Sequence, residues 1–69
     1  MSDSVYKVIE LVGTHADSWE QAAKAAVDRA AKTLRDLRVA EVVEQDLVLE
    51  GGKVTAYRVK LKVSFKFEG

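Results

Sequence analysis

From Tyr57 to Phe67 the chain alternates without a break. Tyr57, Val59, Leu61, Val63, Phe65 and Phe67 fall on one side, and Arg58, Lys60, Lys62, Ser64 and Lys66 on the other. A period of two puts successive side chains on opposite faces of an extended chain, so the pattern predicts a strand over about 54 to 67 with one apolar and one basic face. A second strand is predicted over about 39 to 49. Between the two lies "EGGK", where Gly51 and Gly52 can take the positive φ of a tight hairpin turn. Near the start, "VYKVIELV" at 5 to 12 is β-branched and aromatic enough for a further strand, and Gly13 with Thr14 is expected to end it.

In the middle the period changes from two to between three and four. Trp19, Ala23, Ala26, Ala30, Leu34 and Leu37 form one apolar stripe, which predicts a helix ending near Asp36. Ser18 followed by Gln21 has capping-box spacing and marks its beginning. Alanine along the stripe lets helix and sheet approach closely. Glu20 with Lys24, and Asp28 with Lys32, are pairs four residues apart that predict a solvated outer face.

The order is therefore β-α-β-β, an α+β domain in which a three-stranded antiparallel sheet packs on one helix, with residues 1–69 as a single unit. At about 3.3 Å per residue the longer strands span roughly 40 Å, against roughly 27 Å for a helix of about 18 residues. Apolar side chains where the hairpin outruns the helix need other cover, and a second copy of the chain is the simplest source.

Composition sharpens this expectation. A chain of 69 residues buries only about 60% of its unfolded surface and is marginal alone. It has no cysteine for a disulfide and one histidine, which argues against a single-chain zinc site, so oligomerisation is the remaining natural support. Lys and Arg number 11, as do Asp and Glu, which disfavours non-specific attraction to nucleic acid or an anionic membrane. Neither a membrane-length apolar run nor a signal-peptide layout is present, and the expectation is a soluble, cytoplasmic protein. No nucleophile with an adjacent base, catalytic metal spacing or phosphate-cradling glycine loop is evident, so an enzyme is the least favoured class.

The stretches "VYKVIELVGT", "SWEQAAKAAVDRAAKTLRDLR", "EVVEQ" and "YRVKLKVSF" closely resemble the dodecins, small β-α-β-β proteins that assemble as hollow spherical dodecamers. The resemblance covers nearly the whole chain and implies a homododecameric shell. Flavin-binding dodecins carry a tryptophan in strand two that stacks on the isoalloxazine ring and a glutamine in strand three that bonds its edge. Here those positions hold Val39 and Arg58. Valine offers no π face, and a guanidinium offers five donors and no acceptor, so flavin is disfavoured. Gln45, which ideal hairpin register sets opposite Arg58, is counted with them as a degenerate ligand pocket. "RVAEVVEQD" with "YRVKLKVSFK" instead resembles the calcium dodecins, which keep the shell but lack the flavin tryptophan.

The carboxylates of "RVAEVVEQD" then become the candidate chemistry. Ideal register about Gly51 and Gly52 pairs Glu41 with Lys62, Val43 with Lys60 and Gln45 with Arg58 on one face. On the opposite, more apolar face it pairs Val42 with Leu61, Glu44 with Val59 and Asp46 with Tyr57. A β-bulge near Gln45 would exchange the faces. Two residues apart on a strand, Glu44 and Asp46 sit about 6 to 7 Å from each other, too far to chelate one ion tightly alone. Repeated around a symmetry axis, they become a ring with enough oxygens for calcium or magnesium. The plainer account is that they are solvated or ion-paired beyond the helix end.

Asp17 is the third candidate, because the resemblance implies that an acid of this loop binds a divalent ion in some dodecins; its plainer role is a helix N-cap. His15 is expected at the surface without a ligand role, and Trp19 in core or interface packing. The row Arg58, Lys60, Lys62, Lys66 could take phosphate groups, or be compensated by Glu41 and partner chains. The sequence thus favours a non-enzymatic shell that binds a small ligand or hard cation. A flavin-binding dodecin and a structural cage with no physiological ligand stand as the alternatives.

Overall fold

A computed structural model describes residues 4–67 of the chain. The elements run β1 (Tyr6–His15), α1 (Trp19–Ala31), β2 (Leu37–Glu50) and β3 (Lys53–Lys66). The three strands form one antiparallel sheet in the order β1-β3-β2, so the strand with the cleanest alternation lies in the middle. Central placement explains its burial. Val59, Leu61 and Val63 are the largest fully buried side chains, and they meet Ala22 and Ala26 of the helix, with Ile9, Leu11, Trp19, Ala23 and Leu37 packed around them.

Helix and sheet touch through very small residues. Gly13 was expected to end the first strand, yet β1 continues to His15 and Gly13 pairs with Val59 inside it. A Cβ at Gly13 would land on the main-chain oxygen of Ala22 and lie 3.1 Å from the Ala26 Cβ. Its glycine thus serves close approach of helix to strand, a role that resembles a turn signal in the sequence.

Ser18 caps the helix as expected, its Oγ accepting the Gln21 N–H at 3.1 Å. The helix stops at Ala31, earlier than the apolar stripe suggested. The N–H groups of Thr33 and Leu34 both turn back to the Ala30 carbonyl, at 3.1 and 2.9 Å, and Asp36 takes a left-handed φ of 59°. The chain must reverse there to enter β2, and a short polar residue tolerates that conformation better than most. Leu37 consequently reaches the core from the sheet. Ala22, Ala26 and Ala30 form the buried line of the helix, while Trp19 and Ala23 flank it. On the outer face Lys24 bonds forward to Asp28 at 2.8 Å in place of the two pairs expected with Glu20 and Lys32.

The hairpin turns at Gly51 and Gly52 with φ of 57° and 76°, the two positive values of a type I′ turn, and Glu50 pairs with Lys53. Its register departs from the ideal one three times, once at Arg38, which is left extra between Leu37 and Val39. Between Val48 and Leu49 the pairing jumps from Ala56 to Val54, leaving Thr55 as an extra residue in β3. Between Val42 and Glu44 it jumps back, leaving Val43 as an extra residue in β2. Between the bulges at Arg38 and Val43 the expected pairs Glu41–Lys62 and Val42–Leu61 are found. Between those at Val43 and Thr55 the other expected pairs are replaced: Glu44 pairs with Lys60, Gln45 with Val59, Asp46 with Arg58 and Leu47 with Tyr57.

Coverage of the sheet is uneven. The longest dimension is 56 Å, whereas a 13-residue helix spans about 20 Å. The helix lies mainly over β1 and β3, and β2 has no buried residue along its length. Val42, Leu47, Leu49 and Val54 are exposed around the hairpin, as are Val8, Val12 and Val39 on the face away from the helix. No helix among the described residues is long and apolar enough to cross a membrane.

Gly13→Ala is expected to destabilise the protein by about 1 to 3 kcal/mol, the usual cost of overpacking. Gly51→Ala, with open space around it but a positive φ, is expected to cost about 1 kcal/mol. Chemical denaturation of the two variants beside the parent measures both, and an unperturbed Gly13 variant would contradict the close approach described here.

Candidate functional site

The bulges at Val43 and Thr55 decide where the carboxylates lie. In ideal register Glu44 would stand opposite Val59, which is fully buried under the helix. Gln45, which takes that place, is itself exposed, so the two registers differ in partners: opposite Val59 a carboxylate would have no basic neighbour across the strand. With Val43 looped out, Gln45 and Leu47 occupy the helix side, and Glu44 and Asp46 move to the face that carries Arg58 and Lys60. The expectation that they share the more apolar face is corrected by this register.

On the helix-free face β3 contributes Arg58, Lys60, Lys62 and Ser64, flanked by Thr14, Val12, Glu10 and Val8 of β1. From β2 come Asp46, Glu44, Glu41 and Val39. Charge is matched row by row, with Lys62 between Glu10 and Glu41, Lys60 beside Glu44, and Arg58 beside Asp46. Val12, Glu44, Asp46, Arg58 and Lys60 line a shallow cleft of about 180 Å³.

Asp46 is the most constrained of these groups. Arg58 donates from Nε to Oδ1 at 2.8 Å and from Nη2 to Oδ2 at 2.7 Å, a two-pronged contact that uses both carboxylate oxygens. Those hydrogen bonds hold the carboxyl below its ordinary range against an opposing desolvation, with a smaller contribution from the guanidinium charge. The main-chain oxygen of the same residue accepts the Trp19 indole N–H at 3.1 Å, and the indole meets the Tyr57 ring edge-on with centroids 5.1 Å apart. Asp46 thus joins the start of the helix to both strands of the hairpin. Glu44 is held more loosely, with Lys60 Nζ 3.8 Å from Oε1.

Asp17 does not cap the helix, a role that Ser18 takes. Its N–H donates to His15 Nδ1 at 3.0 Å, and its carboxylate lies 4.0 Å from that nitrogen. Among the described residues no three His, Asp or Glu side chains converge as a metal-binding group, so one chain does not bring Asp17, Glu44 and Asp46 together. The pocket positions are likewise dispersed. Val39 pairs with Ser64, three rows from Arg58 on the same face, while Gln45 sits opposite Val59 on the other face. Val39 is 62% exposed. The Arg58–Asp46 contact was missed in the sequence because ideal pairing sets Arg58 against Gln45; the only signal for it was two acids on the wrong side of an otherwise apolar strand face.

One helix packed over part of a three-stranded β-α-β-β sheet, with a charge-paired open face and an overhanging hairpin, is the class this geometry defines. A model of the dodecin family matches residues 5–68. The chain is 58% identical over 64 residues to the calcium dodecin of Mycobacterium tuberculosis, covering 91% of this chain and 89% of that one. Among solved structures it is similar to dodecin from Streptomyces coelicolor, with a TM-score of 0.93 and 42% identity over 100% of this chain and 99% of the other. It is also similar to the calcium-chelating antigen calcium dodecin of M. tuberculosis, a structure described as having a novel calcium-binding site, with a TM-score of 0.85, 52% identity, and coverage of 94% and 93%. This chain belongs to the dodecin family.

The lowered acidity of Asp46 sets a sign for the pH dependence. A carboxyl with a lower pKa folded than unfolded contributes stability that is complete above its unfolded value of about 3.9 and is lost as pH falls through the folded value. Asp46→Asn should therefore lower the melting temperature modestly at pH 7, since the pair is exposed, and the gap from the parent should close below about pH 4. Thermal scans across that range check it.

Proposed function

We propose that the protein is a non-enzymatic, self-assembling shell whose Glu44 and Asp46 supply oxygen ligands to a hard divalent cation, most simply calcium, with magnesium as the weaker candidate. The observation that carries this reading is the placement of both carboxylates side by side in an open cleft on one face of β2, in a chain similar to proteins described as calcium dodecin and calcium-chelating. Calcium takes six to eight oxygens, more than two carboxylates of one chain provide. Copies related by symmetry complete the set, and Asp17 of the loop before the helix is the third acid available to it.

Self-association follows from the uncovered apolar surface. Leu47, Leu49 and Val54 lie toward the hairpin turn and Val42 beside the helix, and Leu49 is 59% exposed. A domain of this size gains more from covering them with a further copy than from leaving them in water. A closed dodecamer is the assembly that the family resemblance implies. Flavin is disfavoured as the ligand because Val39 gives no stacking face. Val39, Gln45 and Arg58 would also have to be gathered from different chains.

Light scattering in dilute neutral buffer is expected to give a closed oligomer, most simply twelve chains, and a stable folded monomer contradicts it. Calcium is expected to raise thermal stability by about 2.7 kcal/mol at a free concentration a hundredfold above its dissociation constant. Glu44→Gln with Asp46→Asn should abolish that gain while preserving the assembly. Coincident scans of the parent protein with millimolar calcium and with chelator would remove the cation reading.

A further inference from the structure

Asp46 is already occupied. Both of its carboxylate oxygens accept hydrogen bonds from Arg58, at 2.8 and 2.7 Å. Lys60, by contrast, stands 3.8 Å from Glu44, within ion-pair range but beyond hydrogen-bonding distance. A divalent ion that took the Asp46 oxygens would stand within about 5 Å of the guanidinium, with twice the repulsion of two unit charges at that separation. The two cations therefore compete for one carboxylate.

Geometry allows one to leave. The Arg58 side chain is 47% exposed on the helix-free face and can turn into water without opening the core. The Asp46 backbone is held independently, since its carbonyl oxygen keeps the Trp19 indole N–H while its carboxylate changes partner.

We infer that Arg58 is the resident counter-ion of Asp46, and that ion uptake at this site is an exchange in which the entering divalent cation displaces the guanidinium. The inference rests on the cation reading given above and adds its regulation. Glu44, loosely held, is the ligand met first, and Asp46 joins once Arg58 has swung away. A monovalent ion brings no more charge than the guanidinium and none of its directional hydrogen bonds, so the exchange selects for divalent ions. The free energy of breaking the Arg58–Asp46 contact is subtracted from the apparent affinity, and the ion-free protein is spared the repulsion of two adjacent carboxylates.

Calcium chloride titrated into the assembled full-length protein, followed by calorimetry and by the emission of Trp19, the chain's one tryptophan, tests the exchange. Arg58→Gln is expected to tighten calcium binding about threefold to tenfold, and Arg58→Lys, which keeps the charge but loses the fork, to give an intermediate value. In an Asp46→Asn background Arg58→Gln should leave the affinity unchanged. Equal or weaker binding by the Arg58→Gln protein overturns the exchange and leaves the cation reading standing. A gain that persists without the Asp46 charge also overturns it, because the effect is then one of general charge. Binding by the variant alone supports the exchange in its strongest form. Calcium binding to neither protein removes both the cation reading and the exchange.

Discussion

Two carboxylates on one strand are held best where basic side chains face them, and in this hairpin the basic row of β3 lies on the helix-free face. Two bulges of the hairpin answer that constraint. Thr55 is added to β3 and Val43 to β2, and between them every side chain of β2 is turned over relative to ideal pairing. Gln45 and Leu47 take the helix side, while Glu44 and Asp46 join the basic row of β3. Each bulge disrupts the ladder locally. Together they move two acids from places opposite Val59 and Tyr57 to ion pairs with Arg58 and Lys60, and ideal pairing resumes on either side, from Val39 to Val42 and from Leu49 to the turn.

The second organising feature is how little of the sheet the helix covers. Ala22 and Ala26 meet the sheet closely because Gly13 has no side chain, and this close contact draws the helix over β1 and β3. β2 is left bare. A long edge strand with apolar side chains on both faces invites association, and its bulges at Arg38 and Val43 make regular edge-to-edge pairing difficult. Side-chain packing between copies is the remaining mode. The same strand carries the candidate ligands, so assembly and ion binding draw on one element.

On the open face Arg58 pairs with Asp46 and Lys60 with Glu44, and the remaining charges alternate in sign across the strands. Lys62 lies between Glu10 and Glu41, and Arg58 grips Asp46. This compensation agrees with the balanced composition, and it means that a ligand must compete with internal partners before it competes with water. Asp46 also accepts the Trp19 indole, which links the helix start to the strand that bears the site.

Element order, the Gly51–Gly52 turn, the Ser18 cap and the alternating strand β3 were legible in the sequence, since each depends on local periodicity or on backbone preferences of single residues, whereas the central place of β3 in the sheet was not. The dodecin resemblance was legible for the same reason, as it rests on contiguous stretches covering most of the chain. Gly13 was misread as a strand end because a glycine needed for close packing looks, in one dimension, like a glycine needed for a turn. The length of the helix depended on where the chain had to reverse at Asp36. Tertiary structure alone decided which acids face which bases. A single looped-out residue such as Val43 leaves no periodic trace in so short a strand, yet it turns Glu44 and Asp46 from one face to the other. Faces are set by hydrogen-bonded register between segments distant in sequence, and in β2, which buries no residue, that register sets the acids opposite the bases of β3.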